Sequence, residues 1–232
     1  MDVEEMKRQA GIAACDFVKS GMNVGLGTGS TVKYTILELG RRIHDDGLNI
    51  IGVPTSIQTE ELAKKVGIPM ADLDSLSHLD VVIDGADEYD SNFELIKGGG
   101  AALLREKIVA QASKAMVVVA DERKRVDVLG AFPLPIEVTP FCHETTRKSI
   151  ESLLGTRVLL RMNGDSPLLT DNENYIVDAH CGPTILRPRD VEQQLLHLAG
   201  VVQVGIFSGM CDVVVLATPA GVEVVRNPSG RL

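Results

Sequence analysis

Short apolar runs alternate with amphipathic segments along the first half of the chain. The apolar runs have the length of buried strands, and the segments between them repeat apolar residues at helical spacing. The predicted strands are residues 22–26, 49–53, 79–83 and 116–120, and the predicted helices are residues 2–19, 31–43, 56–66 and 101–115. Because strands that alternate with helices are joined by right-handed crossovers, this half of the chain is predicted to form a mainly parallel sheet with helices on both faces.

The pattern changes at F-P-L-P-I-E-V, residues 132–138, where two prolines mark a crossing between domains. Beyond it the predicted strands are residues 136–139, 157–162, 175–179 and 201–206, and the predicted helices are residues 143–154 and 189–198. This β-α-β-β-α-β order is typical of a small ferredoxin-like α+β domain. Two strand-like runs in the tail can rejoin the first sheet, which makes the small domain an insertion. The predicted domains are therefore residues 1–131 with 207–232, and residues 132–206.

A polar cluster follows each strand of the first domain. The clusters are G-T-G-S-T after residue 26, P-T-S after residue 53, D-G-A-D-E after residue 83 and D-E-R-K after residue 120. In an open parallel sheet the carboxyl ends of the strands share one edge, where ligands bind. The four clusters are therefore predicted to converge on one site.

The composition of the chain disfavours nucleic-acid binding, a structural zinc site and a membrane protein. The chain of 232 residues has 32 acidic and 23 basic side chains, a net charge of −9, and no basic cluster that would favour nucleic acid. Its four cysteines are far apart and form no C-x-x-C pair, which predicts buried thiols in a reducing compartment and no structural zinc. The five histidines show no ligand spacing. A charged N-terminal segment and the lack of a membrane-length apolar run predict a cytoplasmic protein without a membrane partner.

The loop G-L-G-T-G-S-T, residues 25–31, joins a predicted strand to a predicted helix. Its glycines let the backbone approach a ligand, and Ser30 or Thr31 can cap the helix or donate a hydroxyl to phosphate. The dinucleotide fingerprint is absent, because Ser30 stands where its third glycine is required, and the P-loop lysine is absent too. Phosphate binding without a nucleotide is favoured over a tight turn with a capped helix.

Two aspartates close the third predicted strand. Asp84 and Asp87 are spaced as D-G-A-D, with the flexible Gly85 between them, so both can turn towards one ligand. Paired carboxylates suit metal ions, proton transfer or sugar hydroxyls, and a magnesium site is the main alternative. A single acid at a strand end would more often cap a helix or meet solvent.

The segment K-G-G-G-A-A-L-L-R-E-K, residues 97–107, carries the candidate base. Lys97 and the glycine-rich start of a helix can stabilise an oxyanion. The predicted apolar face of that helix consists of Leu104, Ile108, Gln111, Ala112 and Ala115. Glu106 lies off this face and is therefore available to act as a base. The alternative is that Glu106 is a solvated surface glutamate. Lys124, after the last strand, is as readily a phosphate contact as a surface lysine.

These motifs resemble those of ribose-5-phosphate isomerase, type A. The resemblance rests on V-G-L-G-T-G-S-T, V-I-D-G-A-D-E, K-G-G-G-A-A-L-L-R-E-K-I and F-P-L-P-I-E-V, with G-V-V-Q-V-G-I-F and A-T-P-A-G-V near the end. They occur in the family's order along nearly the whole chain. The resemblance implies a Rossmann-like main domain, a ferredoxin-like smaller domain and a homodimer or homotetramer. It also implies cofactor-free and metal-free interconversion of ribose 5-phosphate and ribulose 5-phosphate in the pentose phosphate pathway.

The resemblance also implies roles for individual residues. Glu106 would move a proton between C1 and C2 of the open-chain sugar through a cis-enediolate. Asp84, Asp87 and Lys97 would handle the sugar hydroxyls and stabilise charge on the oxygens. The implied substrate contacts are Thr28, Gly29, Ser30, Thr31, Gly85, Ala86, Gly98, Gly99, Gly100 and Lys124. Arg123 departs from the family pattern, which usually has a small hydroxyl residue before the lysine.

Other functions fit parts of the pattern. An enzyme acting on an amino-sugar phosphate could share the fold, but the pairing of D-G-A-D-E with K-G-G-G-A-A-L disfavours it. A sugar-phosphate-sensing module without catalysis would have no use for Glu106, and the acidic net charge disfavours a regulator that binds DNA. A nucleotide-dependent dehydrogenase lacks its third glycine.

Overall fold

The computed structural model describes residues 2–232, which contain six α-helices and fifteen strands. The helices are α1 Val3–Ala14, α2 Val32–Asp46, α3 Ile57–Lys65, α4 Leu103–Ala112, α5 His143–Leu154 and α6 Pro188–Leu196. The strands are β1 Asn23–Leu26, β2 Ile51–Pro54, β3 Val81–Gly85, β4 Glu88–Tyr89, β5 Leu95–Ile96, β6 Met116–Asp121, β7 Leu134–Val138, β8 Val158–Leu160, β9 Met162–Asn163, β10 Ser166–Pro167, β11 Tyr175–Ala179, β12 Val201–Val204, β13 Ile206–Phe207, β14 Val213–Thr218 and β15 Gly221–Arg226.

The chain forms two compact units. The first comprises the chain up to Ala86 together with Arg105–Lys124 and Met210–Leu232, and the second comprises Asp87–Leu104 and Arg125–Gly209.

The first unit is built on a six-stranded sheet in the order β15-β14-β6-β3-β1-β2. Neighbouring strands are parallel except β14 and β15, so the tail rejoins this sheet and closes one edge with an antiparallel strand. The chain runs from β1 outward to β2 and then returns past β1 to β3, so the direction of winding reverses between β1 and β3. In open α/β sheets, ligands bind outside the carboxyl ends of the strands at such a reversal.

The central strands are rich in valine and isoleucine because helices cover both faces of this sheet. Residues 81–83 and 116–120 are all buried. Helices α1 and α2 pack against one face. On the other face, a Cβ added to Gly25 in β1 would lie 2.6 Å from Val109 Cγ1 of α4, so glycine is needed for this helix to pack closely.

The second unit contains a four-stranded antiparallel sheet in the order β12-β7-β11-β8. With α5 between β7 and β8, and α6 between β11 and β12, it has the predicted ferredoxin-like arrangement. One face packs against the two helices through a core that includes Ile136, Ile150 and Leu195. Residues that alternate with the core positions, such as Glu137 and Asp178, lie on the opposite face.

The observed units differ from the predicted division at residues 87–104, which belong to the second unit. The cause is a further small sheet in the order β13-β5-β4, in which β5 pairs with both neighbours. Each of these strands has two residues, which is too short for an alternating pattern to predict. Residues 125–131 and 207–209 also belong to the second unit.

Most predicted elements are confirmed with small shifts at their ends, and α5 and β11 match their predicted bounds. Helix α4 begins later than predicted because Ala101, with φ of +59°, donates its N–H to the Gly98 carbonyl and closes a turn. The strand predicted at residues 201–206 is interrupted at Gly205, after which β13 pairs with β5. Within residues 2–232, no helix is both long and apolar enough to cross a membrane.

Candidate active site

Asp84 lies near the carboxyl end of β3, at the reversal of the sheet's winding. It is fully buried, and its Oδ1 accepts hydrogen bonds from the backbone N–H of Thr28 at 3.1 Å and of Gly85 at 2.7 Å. A Cβ on Gly27 would overlap the Asp84 carboxylate and lie 2.6 Å from its Cα, so only glycine fits there. Asp84 therefore holds the loop after β1 in place.

Four hydroxyl groups converge where β1 and β2 end. Thr28 Oγ1 lies 2.8 Å from both Thr55 Oγ1 and Ser56 Oγ. Ser56 Oγ donates to Thr59 Oγ1 at 3.0 Å, and Thr59 Oγ1 donates to the Gly27 carbonyl at 2.8 Å. The Thr28 side chain is thus held by the protein itself. The motif P-T-S marked this segment in the sequence, but sequence analysis assigned no role to its hydroxyl groups.

The loop after β1 continues into α2 through Gly29, Ser30 and Thr31. Gly29 and Ser30 are exposed, and α2 begins without a capping hydrogen bond from the Thr31 side chain. Gly29 and Ser30 line a cavity of about 530 Å³, which is also lined by Lys33 and Lys65. Glu61 also lines the cavity, so the two ammonium groups exceed the carboxylates by one, and the amino end of α2 adds a further preference for anions.

Glu106 lies in α4, and only 4% of its surface is exposed. The buried residues of α4 include Leu103, Glu106, Val109 and Ala110, whereas Ile108, which was predicted to be buried, is 47% exposed. The predicted apolar face was therefore wrong. Because Val109 packs against β1, the buried face of α4 is the one turned to the sheet, and Glu106 is not a solvated surface glutamate.

Arg123 and Lys124 lie in the short 3-10 turn, Glu122–Lys124, that follows β6. The buried carboxylate of Asp121, the last residue of β6, accepts hydrogen bonds from Arg123 Nε at 2.7 Å and Nη2 at 3.0 Å. Burial acts to raise the pKa of Asp121, but the hydrogen bonds and charge of Arg123 outweigh it and hold that pKa below its usual range. Because Arg123 already balances this carboxylate, the half-buried Lys124 is not needed to do so.

In the second unit, Lys97 and the three glycines that follow form a loop between β5 and α4. Lys97 is buried, its backbone N–H donates to the Gly205 carbonyl at 2.8 Å, and its Nζ lies 5.4 Å from the centre of the Phe207 ring. Asp87 Oδ2 accepts a hydrogen bond from the Gly99 N–H at 2.7 Å. The structure therefore brings Asp87 and the glycine loop together.

Arg161, which sequence analysis missed, holds the same loop. Its Nη1 donates to the carbonyl oxygens of Gly98 at 2.9 Å and of Gly99 at 3.1 Å. Its Nε donates to Asp178 Oδ2 at 2.8 Å, and its Nη2 donates to Asp178 Oδ1 at 2.5 Å. Because more than sixty residues separate Arg161 from the loop in sequence, no local pattern indicates this contact.

The predicted site residues are distributed over both units. The first unit holds residues 28–31, residues 84–86, Glu106 and Lys124, and the second holds Asp87 and residues 97–100. Gly85 and Ala86 are half-buried, Gly98 is buried, and Gly99 and Gly100 are exposed.

The cysteines lie in different environments. Cys15 and Cys211 are buried, and burial raises the pKa of each thiol to about 12. Cys142 is exposed at the start of α5, so the prediction of a buried thiol was wrong there. All four cysteines are free thiols. In the part of the chain that the structure describes, no three His, Cys, Asp or Glu side chains are grouped so as to hold a metal ion.

Comparison with known proteins decides the family. The family model described as ribose 5-phosphate isomerase A (phosphoriboisomerase A) matches residues 51–221. The chain belongs to this family. A ribose-5-phosphate isomerase A of Cereibacter sphaeroides is 50% identical over 231 residues, covering 97% of this chain and 92% of the relative. The ribose 5-phosphate isomerase of Plasmodium falciparum has a similar structure, with a TM-score of 0.94, 35% identity and coverage of 97% of this chain and 100% of the other.

A second solved structure, a D-ribose-5-phosphate isomerase in complex with phospho-erythronic acid, is 43% identical, with a TM-score of 0.94 and coverage of 97% of this chain and 100% of the other. Ribose 5-phosphate isomerase A interconverts ribose 5-phosphate and ribulose 5-phosphate, and this is the reaction of the chain. The fold, the family and the reaction implied by the motifs are thereby confirmed.

Proposed function

We propose that Glu106 is the general base of the isomerisation. The observation that carries this proposal is the burial of Glu106 on the sheet-facing side of α4, a helix that follows directly after the glycine loop. A carboxylate shielded from water does not have to shed a hydration shell before it reaches a substrate C–H bond. A positioned base of this kind contributes about 10²–10⁴-fold to the rate.

In the proposed reaction, Glu106 removes the proton from C2 of the open-chain aldose. The electron pair forms the C1–C2 double bond, and negative charge develops on the former carbonyl oxygen, which gives a cis-enediolate. Lys97 and the backbone N–H groups of the glycine loop stabilise this oxygen. The proton on O2 passes to O1, with Asp84 and Asp87 as the groups that handle the hydroxyls, and Glu106 returns its proton to C1 to give the ketose.

We assign the phosphate of the substrate to residues 28–31 and Lys124. The exposed backbone of Gly29 and Ser30 at the start of α2 supports this assignment, because helix amino ends bind anions. The related enzyme that binds phospho-erythronic acid supplies a probe. This acid carries a phosphate and places a carboxylate where the enediolate carries its charge, so we expect it to compete with ribose 5-phosphate.

We further propose that the protein is a cytoplasmic homodimer or homotetramer and that the second unit provides the contact between copies. Phe141 is 84% exposed, and Leu169 and Leu186 of the same unit are also largely exposed, so these apolar side chains are available to be covered by a second copy. Four free thiols suit a reducing compartment. Sedimentation equilibrium measures the assembly, and a monomer at micromolar concentration would contradict it.

Conversion of ribose 5-phosphate to ribulose 5-phosphate tests the role of Glu106. We expect the wild-type protein to retain its activity in EDTA, and the Glu106→Gln variant to lose at least about a hundredfold in kcat. The control is Glu38→Gln, which makes the same change in α2 at a glutamate bound by Arg41 and Arg42.

The outcomes of this test are distinct. A Glu106→Gln variant that is folded and retains more than a tenth of wild-type kcat would assign the base to another residue. Loss of wild-type activity in EDTA, restored by added Mg²⁺, would support the magnesium alternative. An EDTA-treated wild-type protein that stays inactive with added Mg²⁺ would show that the treatment damaged the protein, and the test of Glu106 then rests on the kcat ratio measured without EDTA.

A further inference from the structure

The glycine loop contacts the open face of the ferredoxin-like sheet. A Cβ on Gly98 would lie 3.1 Å from Pro135 Cβ in β7, and a Cβ on Gly205 would overlap the Lys97 carbonyl. Arg161 lies on the same face and bonds two carbonyl oxygens of the loop. These contacts all lie within the second unit.

We propose that Arg161 is a positioning residue, which together with Asp178 sets the direction of the Gly100 N–H that the glycine loop presents to the substrate. The proposal rests on the proposed function of this loop in stabilising the enediolate oxygen. Arg161 itself acts through the loop.

The planarity of the peptide group links the bonds of Arg161 to the direction of the loop N–H groups. In a planar trans peptide, the carbonyl oxygen of one residue and the N–H of the next point in opposite directions. Since the Gly98 carbonyl is bound to Arg161, the Gly99 N–H points away from it, and that N–H indeed donates to Asp87. Since the Gly99 carbonyl is also bound to Arg161, the N–H of the exposed Gly100 is turned to the side opposite the sheet.

A glycine-rich loop needs such a contact because glycine imposes little preference on its own φ and ψ angles. Without Arg161, the peptide between Gly99 and Gly100 could rotate and point its carbonyl oxygen where the Gly100 N–H is required, so that the loop would repel an oxyanion. The Gly98 carbonyl would keep its bond to the Ala101 N–H, whereas the Gly99 carbonyl would lose the anchor that Arg161 provides.

Asp178 explains why this position holds an arginine. Its two oxygens bind Nε and Nη2, which leaves Nη1 directed at the loop. The side chains of both residues are largely buried, Arg161 being 15% exposed, so the planar guanidinium is held in one orientation. A lysine ammonium could bind either Asp178 or a loop carbonyl, but it cannot bind both carboxylate oxygens of Asp178 and the loop at once as the planar guanidinium does.

The first experiment is steady-state kinetics of Arg161→Ala and Arg161→Lys. We expect kcat to fall about 10- to 100-fold in both variants, while KM changes less than threefold. The upper end of this range equals the smallest loss in kcat, about a hundredfold, that follows removal of one oxyanion donor. The matched control is Arg147→Ala: Arg147 is 17% exposed in the same unit and bonds two glutamates and the Val158 carbonyl, but none of its bonds reaches the loop. Guanidinium ion is expected to raise kcat of Arg161→Ala at least fivefold and to leave Arg147→Ala unchanged.

The second experiment separates this proposal from the proposed function. Dissociation constants are measured for phospho-erythronic acid and for the corresponding phosphorylated alcohol, which lacks the carboxylate. If the loop stabilises an oxyanion, wild-type protein binds the acid at least tenfold more tightly, and Arg161→Lys, which keeps the positive charge, loses most of that preference.

Each result has one meaning. No preference for the acid in wild-type protein would refute the proposed role of the loop. A wild-type preference that Arg161→Lys and Arg161→Ala retain, with kcat within twofold of wild type, would refute the role of Arg161 and leave the proposed function standing. Equal losses in Arg147→Ala would also refute it, because the effect would then come from general destabilisation of the unit.

Discussion

Replacing Gly27 by alanine tests whether Asp84 and the loop after β1 depend on one another. The new Cβ would lie 2.6 Å from Asp84 Cα, where ordinary contacts begin at 3.4 Å, so the backbone must separate by about 0.8 Å. Rotation of the Asp84 side chain cannot relieve a contact with its own Cα. Overpacking of this kind costs about 1–3 kcal/mol. Weakening the hydrogen bonds from Thr28 and Gly85 to a charged carboxylate adds a loss of about 1.5–3 kcal/mol.

We therefore expect Gly27→Ala to lower the free energy of unfolding by about 3–5 kcal/mol, a large part of the usual total of about 5–15 kcal/mol. We expect kcat/KM to fall about a hundredfold, because a displacement near 1 Å is enough to misalign reacting groups. Urea unfolding followed by circular dichroism gives the first quantity, and isomerase kinetics give the second.

Gly85→Ala is the stability control for this experiment. A Cβ on Gly85 would have its nearest neighbour, the Thr28 carbonyl oxygen, at an ordinary 3.8 Å. We expect its free energy of unfolding to stay within about 0.5 kcal/mol of wild type. The reasoning is refuted if Gly27→Ala is destabilised by less than about 1 kcal/mol or if both variants are destabilised equally.

Two further predictions concern the strand ends of the first unit. Thr59→Val keeps the shape of the side chain but removes the hydroxyl that donates to the Gly27 carbonyl. We expect thermal unfolding to show that the free energy of unfolding falls by about 1–2 kcal/mol, and we expect kcat/KM to fall severalfold. Unchanged kinetics would show that the hydroxyl cluster does not position the loop. Arg123→Ser removes the partner of Asp121, and because Arg123 is half exposed we expect a loss of about 1 kcal/mol at pH 7. Since the pKa of Asp121 is lowered in the folded protein, this contribution is present in full above the ordinary value of 3.8 and is lost as pH falls through the folded value. The difference in urea midpoint between wild type and variant is therefore expected to be largest at pH 7 and to shrink as pH falls below 3.8.

The layered fold was predictable because each central strand is a continuous apolar run and most helices repeat their apolar residues at helical spacing. The position of the polar clusters at the carboxyl ends of the strands was also predictable, because each cluster directly follows an apolar run. The face of α4 was not. Its three charged residues, 105–107, are consecutive and point to different sides of the helix, so the sequence shows no single apolar stripe. The buried side is decided by Gly25, which leaves room for Val109 against the sheet.

Two features of the site lay beyond any local pattern. The strands β4, β5 and β13 have two residues each, and β5 pairs with β13 more than a hundred residues away in sequence. These pairings place the glycine loop in the second unit. Arg161 is an ordinary arginine after a strand until the fold places its guanidinium against the Gly98 and Gly99 carbonyls. The hydroxyl groups of residues 55–59 were visible in the sequence, and only their contact with Thr28 required the structure.

The motif D-G-A-D-E acquires a different meaning from these contacts. Sequence analysis interpreted Asp84 and Asp87 as groups that face a ligand, yet these two acids and Glu88 each bind backbone N–H groups of a different segment. Asp84 binds Thr28, Asp87 binds Gly99, and Glu88 binds Gly130 at 2.7 Å and Phe132 at 2.5 Å.

These carboxylates thus orient the loops that carry the backbone N–H groups proposed to bind the substrate. When an N–H donates to a carboxylate, the direction of its peptide group is fixed. A carboxylate can accept about four hydrogen bonds, so the bond from Gly99 leaves Asp87 the capacity for a substrate hydroxyl. An acid that fastens a loop and also binds the substrate couples the two functions. Replacing Asp87 by asparagine would therefore weaken the Gly99 bond and the hydroxyl contact together, and a loss of activity in that variant alone cannot assign it a role in proton transfer.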